Sequence, residues 1–306
     1  MSHKEKLVSG VVIPMLTPFN DKGEIDLISS ERIIDNFIEK GVYPFLLGTT
    51  GEGSSINYKE RKKFVEFVGK KYSGKTKIYV CVGSNCVVEN FENVIEYSDL
   101  GADFIVALLP GYYQLTTYQI IKYFETIAEK SPRPIVLYNI PQTTHHSIPL
   151  DVVEELSHHP NIVGLKDSER DIQRYNKAIE MFKHRYDFAF LVGWAAKCFY
   201  SLSKGADGLV PSSGNFAPGM FKKMYDLVEK GELKSAVSLQ IETDKLAIIY
   251  QKDRTLGQSL AAAKVIMKYF NLCEPYVLPP LTRLTIDEEK VIIEQLEQIK
   301  EDINIY

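Results

Sequence analysis

The chain has 306 residues, 45% of them apolar and 25% charged, with a formal net charge of −4. That length allows one large domain or two small ones around a sizeable core, in the composition range of ordinary globular proteins. The charge balance offers no basic footprint for nucleic acid, no apolar run nears the ~18 residues of a membrane span, and the first ten residues, MSHKEKLVSG, lack the apolar core of a secretion signal.

Eight short apolar runs are predicted as strands, at 11–16, 44–48, 77–83, 104–110, 134–141, 162–168, 188–194 and 208–215. Amphipathic stretches between them are predicted as helices, at 27–40, 58–71, 90–100, 117–130, 150–158, 171–182 and 195–204. In the second of these, Phe64, Val65, Phe67 and Val68 fall near one stripe, with Lys59, Glu60, Lys62 and Lys63 mostly off it. Strict alternation implies parallel strands with right-handed crossovers. Eight such units close into a (β/α)8 barrel. An open doubly wound sheet is the alternative, but no glycine-rich phosphate turn follows the first strand. From 219 onward only helices are predicted, at 219–230, 232–250, 259–269 and 287–302. The first closes the barrel. The division is therefore a catalytic barrel over 1–230 and a C-terminal helical domain over 231–306. Four cysteines (Cys81, Cys86, Cys198, Cys273) show no metal-like or redox-like spacing. They are expected to be reduced, buried thiols in a cytoplasmic protein.

In such a barrel the reacting groups stand at the C-terminal ends of the strands. Strand 2 ends in Gly48-Thr49-Thr50-Gly51-Glu52-Gly53. Free backbone N–H groups and two hydroxyls there can cradle a carboxylate. The plainer reading of this stretch alone is a glycine turn capping the next helix. Strand 4 ends in Tyr112-Tyr113, a pair that reads first as packing. Strand 5 ends in Tyr138, a phenol able to shuttle a proton or, equally, a core tyrosine bonded to backbone. Strand 6 runs Ile162-Val163-Gly164-Leu165-Lys166-Asp167-Ser168. A lysine on a strand covered on both faces loses hydration, so its pKa falls and free amine forms near neutral pH. Free amine attacks carbonyls. The competing reading is a lysine paired with an acid or reaching water at the strand mouth. Amine, phenol and hydroxyl-rich turn together are the parts of a Schiff-base aldolase acting on a 2-keto acid, which needs no metal.

On these residues the chain resembles the dihydrodipicolinate synthase / N-acetylneuraminate lyase family of pyruvate-dependent class I aldolases. The family turn GTTGE stands at 48–52, and its Y-N-x-P signature at 138–141 is followed by the lysine strand, 28 residues separating Tyr138 from Lys166. The segments GVVIPMLTPF at 10–19 and GADGLVPSSGNFAP at 205–218 are also similar. The resemblance implies a TIM barrel with a C-terminal helical extension, a tetramer built as a dimer of dimers, pyruvate and an aldehyde as substrates, and no cofactor beyond the imine. It implies that Lys166 forms the Schiff base, Tyr138 shuttles protons, Thr49 relays them and Thr50 with Gly48 binds the keto-acid carboxylate. Tyr112 matches a tyrosine lent across a dimer interface. Val210 matches a position whose carbonyl lies near the keto acid.

Two departures bear on the aldehyde. The synthases carry an arginine where Thr143 stands, and His145 or His146 is the nearest replacement cation. Both histidines are expected in a loop or at the surface. The neuraminate lyases carry an acidic pair after Gly193, where Trp194-Ala195-Ala196 stands. Trp194 is expected to wall the aldehyde pocket or to join the core. The 212–218 loop and the YVLPP segment at 276–280 look more like 2-keto-3-deoxy sugar-acid aldolases, which is the favoured reading. The synthase, the neuraminate lyase and a catalytically silent keto-acid-binding barrel are the alternatives.

Overall fold

The computed structural model describes residues 6–299. Its strands are β1 (Gly10–Pro14), β2 (Tyr43–Leu46), β3 (Tyr79–Val82), β4 (Phe104–Leu108), β5 (Ile135–Asn139), β6 (Ile162–Asp167), β7 (Ala189–Val192) and β8 (Gly208–Leu209). They pair in parallel in chain order, and β8 returns to β1 to close the barrel. The expected (β/α)8 architecture with a helical extension is the one found. Every residue of β6 is buried, as a strand with barrel filling on one side and helices on the other must be.

Pairing register sets the site. Tyr138 of β5 is the partner of Lys166 of β6, and Asn139 is the partner of Asp167. Side chains alternate along a strand, so partners on neighbouring strands share a face. Lys166 and Tyr138 both enter the cavity at the barrel mouth. Asp167 and Asn139 turn outward, where Asn139 Nδ2 donates to Asp167 Oδ1 at 3.0 Å and Arg174 Nε donates to Asp167 Oδ2 at 2.6 Å. The carboxylate beside the lysine in sequence is thereby held away from it.

Local chemistry explains most helix boundaries. Asp26 caps Leu27–Glu39 by accepting from the backbone of Ile28 and Ser29. Capping boxes, Thr116 with Gln119 and Thr255 with Gln258, start Thr117–Lys130 and Leu256–Tyr269. The second box begins that helix earlier than the predicted 259. In Tyr58–Tyr72 the buried face is Phe64, Val65, Val68, Gly69 and Tyr72, with Phe67 at its edge. Three predictions need correction and one element is added. The run 208–215 is a two-residue strand followed by a 3-10 turn over Ser212–Asn215. The helix predicted at 195–204 opens with a 3-10 turn, Ala195–Lys197. A single helical turn, Pro141–Thr144, was not foreseen. Cys86 is exposed, whereas Cys81, Cys198 and Cys273 are buried.

Beyond Pro218–Glu229 come Leu233–Gln251, Leu256–Tyr269 and Ile286–Ile299, which pack on one another and on the barrel. Residues 300–302 of the last predicted helix lie outside the described residues. Among the described residues no helix is long and apolar enough to cross a membrane.

Candidate active site

Lys166 is 4% exposed, and its Nζ lies over the Tyr138 ring, 3.4 Å from the centroid, with the Phe45 ring at 5.2 Å. Among the described residues it forms no ion pair. The paired-lysine and water-reaching readings therefore do not describe it. Burial lowers its pKa to about 7, with Cys81 and Asp167 pulling weakly the other way. Near neutrality a large share of this amine carries no proton, and a free amine is a nucleophile. If imine formation draws on that amine, its rate is expected to rise with pH through about 7 and level off above it. Initial rates of borohydride trapping with pyruvate between about pH 5 and 9 check this; a midpoint near that of an ordinary lysine would contradict it.

Tyr138 is 3% exposed, and its hydroxyl donates to Thr49 Oγ1 at 3.4 Å. That is long for such a bond, and bonds of this kind tighten when a reactant fills the site. The hydroxyl meets a side chain rather than backbone. Burial raises its pKa, while Thr49 and Ser168 act against the rise. The phenol therefore holds its proton at working pH and is set up first as a donor. Ser168 lines the same cavity. Strand alternation places it on the face of Lys166 two residues earlier, a signal present in the sequence but not used.

The turn after β2 is built under strain. Leu47 (φ 60°) and Glu52 (φ 55°) both hold the left-handed conformation that non-glycine residues avoid. Gly53 packs so closely that a Cβ there would stand 1.9 Å from the Leu47 carbonyl oxygen. Glu52 fastens the turn to the C-terminal helices: its Oε1 accepts from Lys264 Nζ at 2.5 Å and its Oε2 from the Leu278 amide at 2.8 Å. Lys264 also donates to the Tyr276 carbonyl at 2.6 Å, and neither side chain of the pair exceeds 1% exposure. Lys264→Met is expected to cost about 3–5 kcal/mol, because it strands a buried carboxylate. Denaturant unfolding measures this, and a loss under about 1 kcal/mol would show that the pair does not hold the turn.

Thr49 and Thr50 from this turn, Val210 after β8 and Gly193 after β7 line one cavity of about 570 Å³ with Lys166 and Tyr138. Gly48 stands behind it, against the Phe45 ring. A Cβ at Gly193 would fall 2.2 Å from Ser168 Oγ. Trp194 is half-buried, lining the cavity and packing edge-on against Tyr175.

Other site candidates lie elsewhere. Thr143 is exposed, outside the cavity lining, with its hydroxyl turned to the Ile140 carbonyl at 3.5 Å. Both histidines stand in a loop, as expected; His145 is exposed, and His146 is buried with its Nε2 2.8 Å from the Tyr113 carbonyl. Neither histidine lines the cavity. Tyr112 and Tyr113 do not read as core packing: they are 77% and 74% exposed, their rings edge to face at 4.9 Å. The far wall is contributed by C-terminal segments that sequence reasoning left out of the site: Asp244 and Tyr250 from helix Leu233–Gln251 and Lys252 and Arg254 from the turn after it, while Arg170 lies on the rim beyond β6.

A family model described as the dihydrodipicolinate synthetase family matches residues 7–299. A 4-hydroxy-tetrahydrodipicolinate synthase of Karelsulcia muelleri is 31% identical, covering 96% of this chain and 99% of its own. An uncharacterized DapA-like lyase of Pyrococcus furiosus is 30% identical over 94% of this chain and 95% of its own. YagE of Escherichia coli K12, named a putative 2-dehydro-3-deoxy-D-gluconate aldolase, is 28% identical over 96% of this chain and 98% of its own. The crystal structure of YagE in complex with pyruvate superposes with a TM-score of 0.91, at 27% identity, over 96% of this chain and 99% of that one.

Proposed function

The chain belongs to the dihydrodipicolinate synthetase family, a family of lyases, and from that premise we propose that it makes or breaks a C–C bond between pyruvate and an aldehyde through an imine on Lys166. The observation that carries this reading is the buried Lys166 amine 3.4 Å from the centre of the Tyr138 ring, with no acid paired to it among the described residues.

The chemistry follows from the groups at hand. The uncharged amine of Lys166 adds to the keto carbon of pyruvate and water leaves, giving an imine. Transfer of a methyl proton to the imine nitrogen converts it to an enamine. The enamine carbon attacks the aldehyde, leaving an iminium, and the new alkoxide takes a proton from the Tyr138 hydroxyl. Hydrolysis of the iminium by water frees the amine and releases a proton, which Thr49, in hydrogen-bond reach, returns to Tyr138. Run backward, Tyr138 takes the hydroxyl proton as the bond breaks. Thr50 and the backbone of the strained turn hold the pyruvate carboxylate, Val210 supplies a carbonyl beside it, and Tyr112 completes the relay of a neighbouring subunit in a tetramer.

For the aldehyde, a 2-keto-3-deoxy sugar acid is the favoured product, supported by the likeness to YagE and by the threonine at 143. The second reading is condensation with aspartate semialdehyde, favoured by Arg170, a guanidinium on the cavity rim. Neuraminate cleavage has less support, since no acidic pair follows Gly193. Purified protein supplied with 2-keto-3-deoxygluconate is expected to release pyruvate faster than it consumes pyruvate with aspartate semialdehyde. Faster condensation would reverse the assignment.

A further inference from the structure

Resting on the aldolase reading above, we propose that Asp244 sets the specificity for the aldehyde: it accepts hydrogen bonds from a vicinal pair of hydroxyls beside the aldehyde carbonyl. Asp244 is half-buried on helix Leu233–Gln251 and is the one carboxylate among the residues lining the cavity of Lys166. Its Oδ1 accepts from Gln240 Nε2 at 2.8 Å. Gln240 is buried and its amide is fully engaged: Nε2 also donates to the Ala195 carbonyl at 3.1 Å, and Oε1 accepts from the Phe199 amide at 2.9 Å. A Gln–Asp pair four residues apart on a helix is ordinarily a surface contact. Here the glutamine is a bracket, tied to the segment after β7, that fixes one carboxylate oxygen. The other, Oδ2, has no hydrogen-bond or ion-pair partner among the described residues.

Burial raises the pKa of Asp244, with Gln240 and then Lys197 acting against the rise. Lys197 makes no ion pair with it among the described residues; its Nζ lies over the Trp194 ring, 5.3 Å from the centroid. An acceptor oxygen in such a place gains when a ligand donates to it. The rest of the lining decides what that donor is. Arg170, Lys252 and Arg254 line the same cavity, so a cationic donor is repelled there and a neutral O–H is not. Ser212 Oγ and Tyr250 Oη, 2.8 Å apart, line it too and supply further neutral partners. A carboxylate has lone pairs on both oxygens, enough for two adjacent hydroxyls even with Oδ1 held by Gln240.

Position assigns those hydroxyls to the aldehyde. The Gly193 amide donates to the Asp167 carbonyl at 2.7 Å, which sets the loop after β7 beside the lysine strand. Two residues on, Ala195 is tied to Gln240. Trp194, Ala195 and Asp244 thus continue the cavity wall outward from Lys166. The pyruvate carboxylate is assigned to the turn after β2, and the aldehyde joins at the pyruvate methyl carbon. The carbons that extend along this wall are therefore those of the aldehyde.

The test uses the full chain, pyruvate and two probe aldehydes of equal chain length: glyceraldehyde, which carries the two hydroxyls, and propanal, which carries none. Asp244→Asn keeps an oxygen for Gln240 and turns the free oxygen into a donor. It is expected to lower kcat/KM for glyceraldehyde by about 10–100-fold and for propanal by less than about threefold, because a site built to bond a hydroxyl discriminates only where the hydroxyl is present. Comparing each variant with the parent on the same aldehyde cancels the different intrinsic reactivities of the two carbonyls. Equal losses on both aldehydes, or no loss on glyceraldehyde, overturn the proposal. So does a larger loss with aspartate semialdehyde than with glyceraldehyde, which would assign Asp244 to an ammonium group. Borohydride trapping of pyruvate alone is run on both proteins. Its absence in the parent would defeat the imine reading itself, whereas trapping in both, without a loss specific to glyceraldehyde, defeats only the selection by Asp244.

Discussion

Lys166→Ala is expected to abolish turnover and trapping together while the protein still folds. Among the described residues no other lysine combines burial with the absence of a partner: Lys264, equally buried, is bound to Glu52 and the Tyr276 carbonyl. The fold survives because the lysine contributes no ion pair to it among the described residues. Its burial is in fact a stability cost with a predictable sign. The folded-state pKa lies near 7 and the ordinary value at 10.5, so the folded state binds fewer protons between them. The cost is fully present below about pH 7 and fades as pH rises toward 10.5. A Lys166→Met protein, which keeps the side-chain volume, is therefore expected to unfold at a higher temperature than the parent at pH 6, with the gap narrowing at pH 10. Thermal unfolding at the two pH values measures it. A less stable Met variant at pH 6, or residual turnover in Lys166→Ala, would move the amine role to another residue.

Tyr138→Phe is expected to form the imine and then turn over about 10²–10⁴-fold more slowly, the effect of removing a positioned proton donor. The ring stays, so the aromatic face under Lys166 Nζ and the edge contact with Phe45 at 6.2 Å are kept. Only the hydroxyl and its bond to Thr49 go. Single-turnover kinetics separate the two stages: trapping near the parental rate with slowed aldehyde release or addition supports the assignment. Unchanged turnover would remove Tyr138 from proton transfer and leave Ser168, the other hydroxyl beside it, as the donor to test.

The barrel was legible because alternating apolar strands and amphipathic helices have few other ways to bury both kinds of face. The pairing of Tyr138 with Lys166 followed from strand ends, and register then brought them together. Strand 8 misled for a physical reason. Asn215 substitutes side-chain bonds for a ladder, accepting from the Leu16 amide at 2.7 Å and donating to the Pro14 carbonyl at 2.9 Å. Beyond the two paired residues Gly208 and Leu209, a seam held by asparagine side-chain bonds carries no alternation to read. The Glu52–Lys264 pair joins residues 212 positions apart, and no local pattern announces such a partner. The same holds for Lys252 and Arg254, which reach the cavity from a turn between two helices whose own sequence explains only their packing. His145 and His146 are the cations nearest in sequence to Thr143, whereas the two guanidinium groups that line the cavity, Arg170 and Arg254, stand on the loop after the next strand and on a turn between C-terminal helices.

The most direct test is reduction of the intact protein with borohydride in the presence of pyruvate, followed by peptide mass mapping. One reduced pyruvate adduct is expected, on the peptide containing Lys166 and on no other. An unmodified protein, or an adduct on a different lysine, would contradict the account.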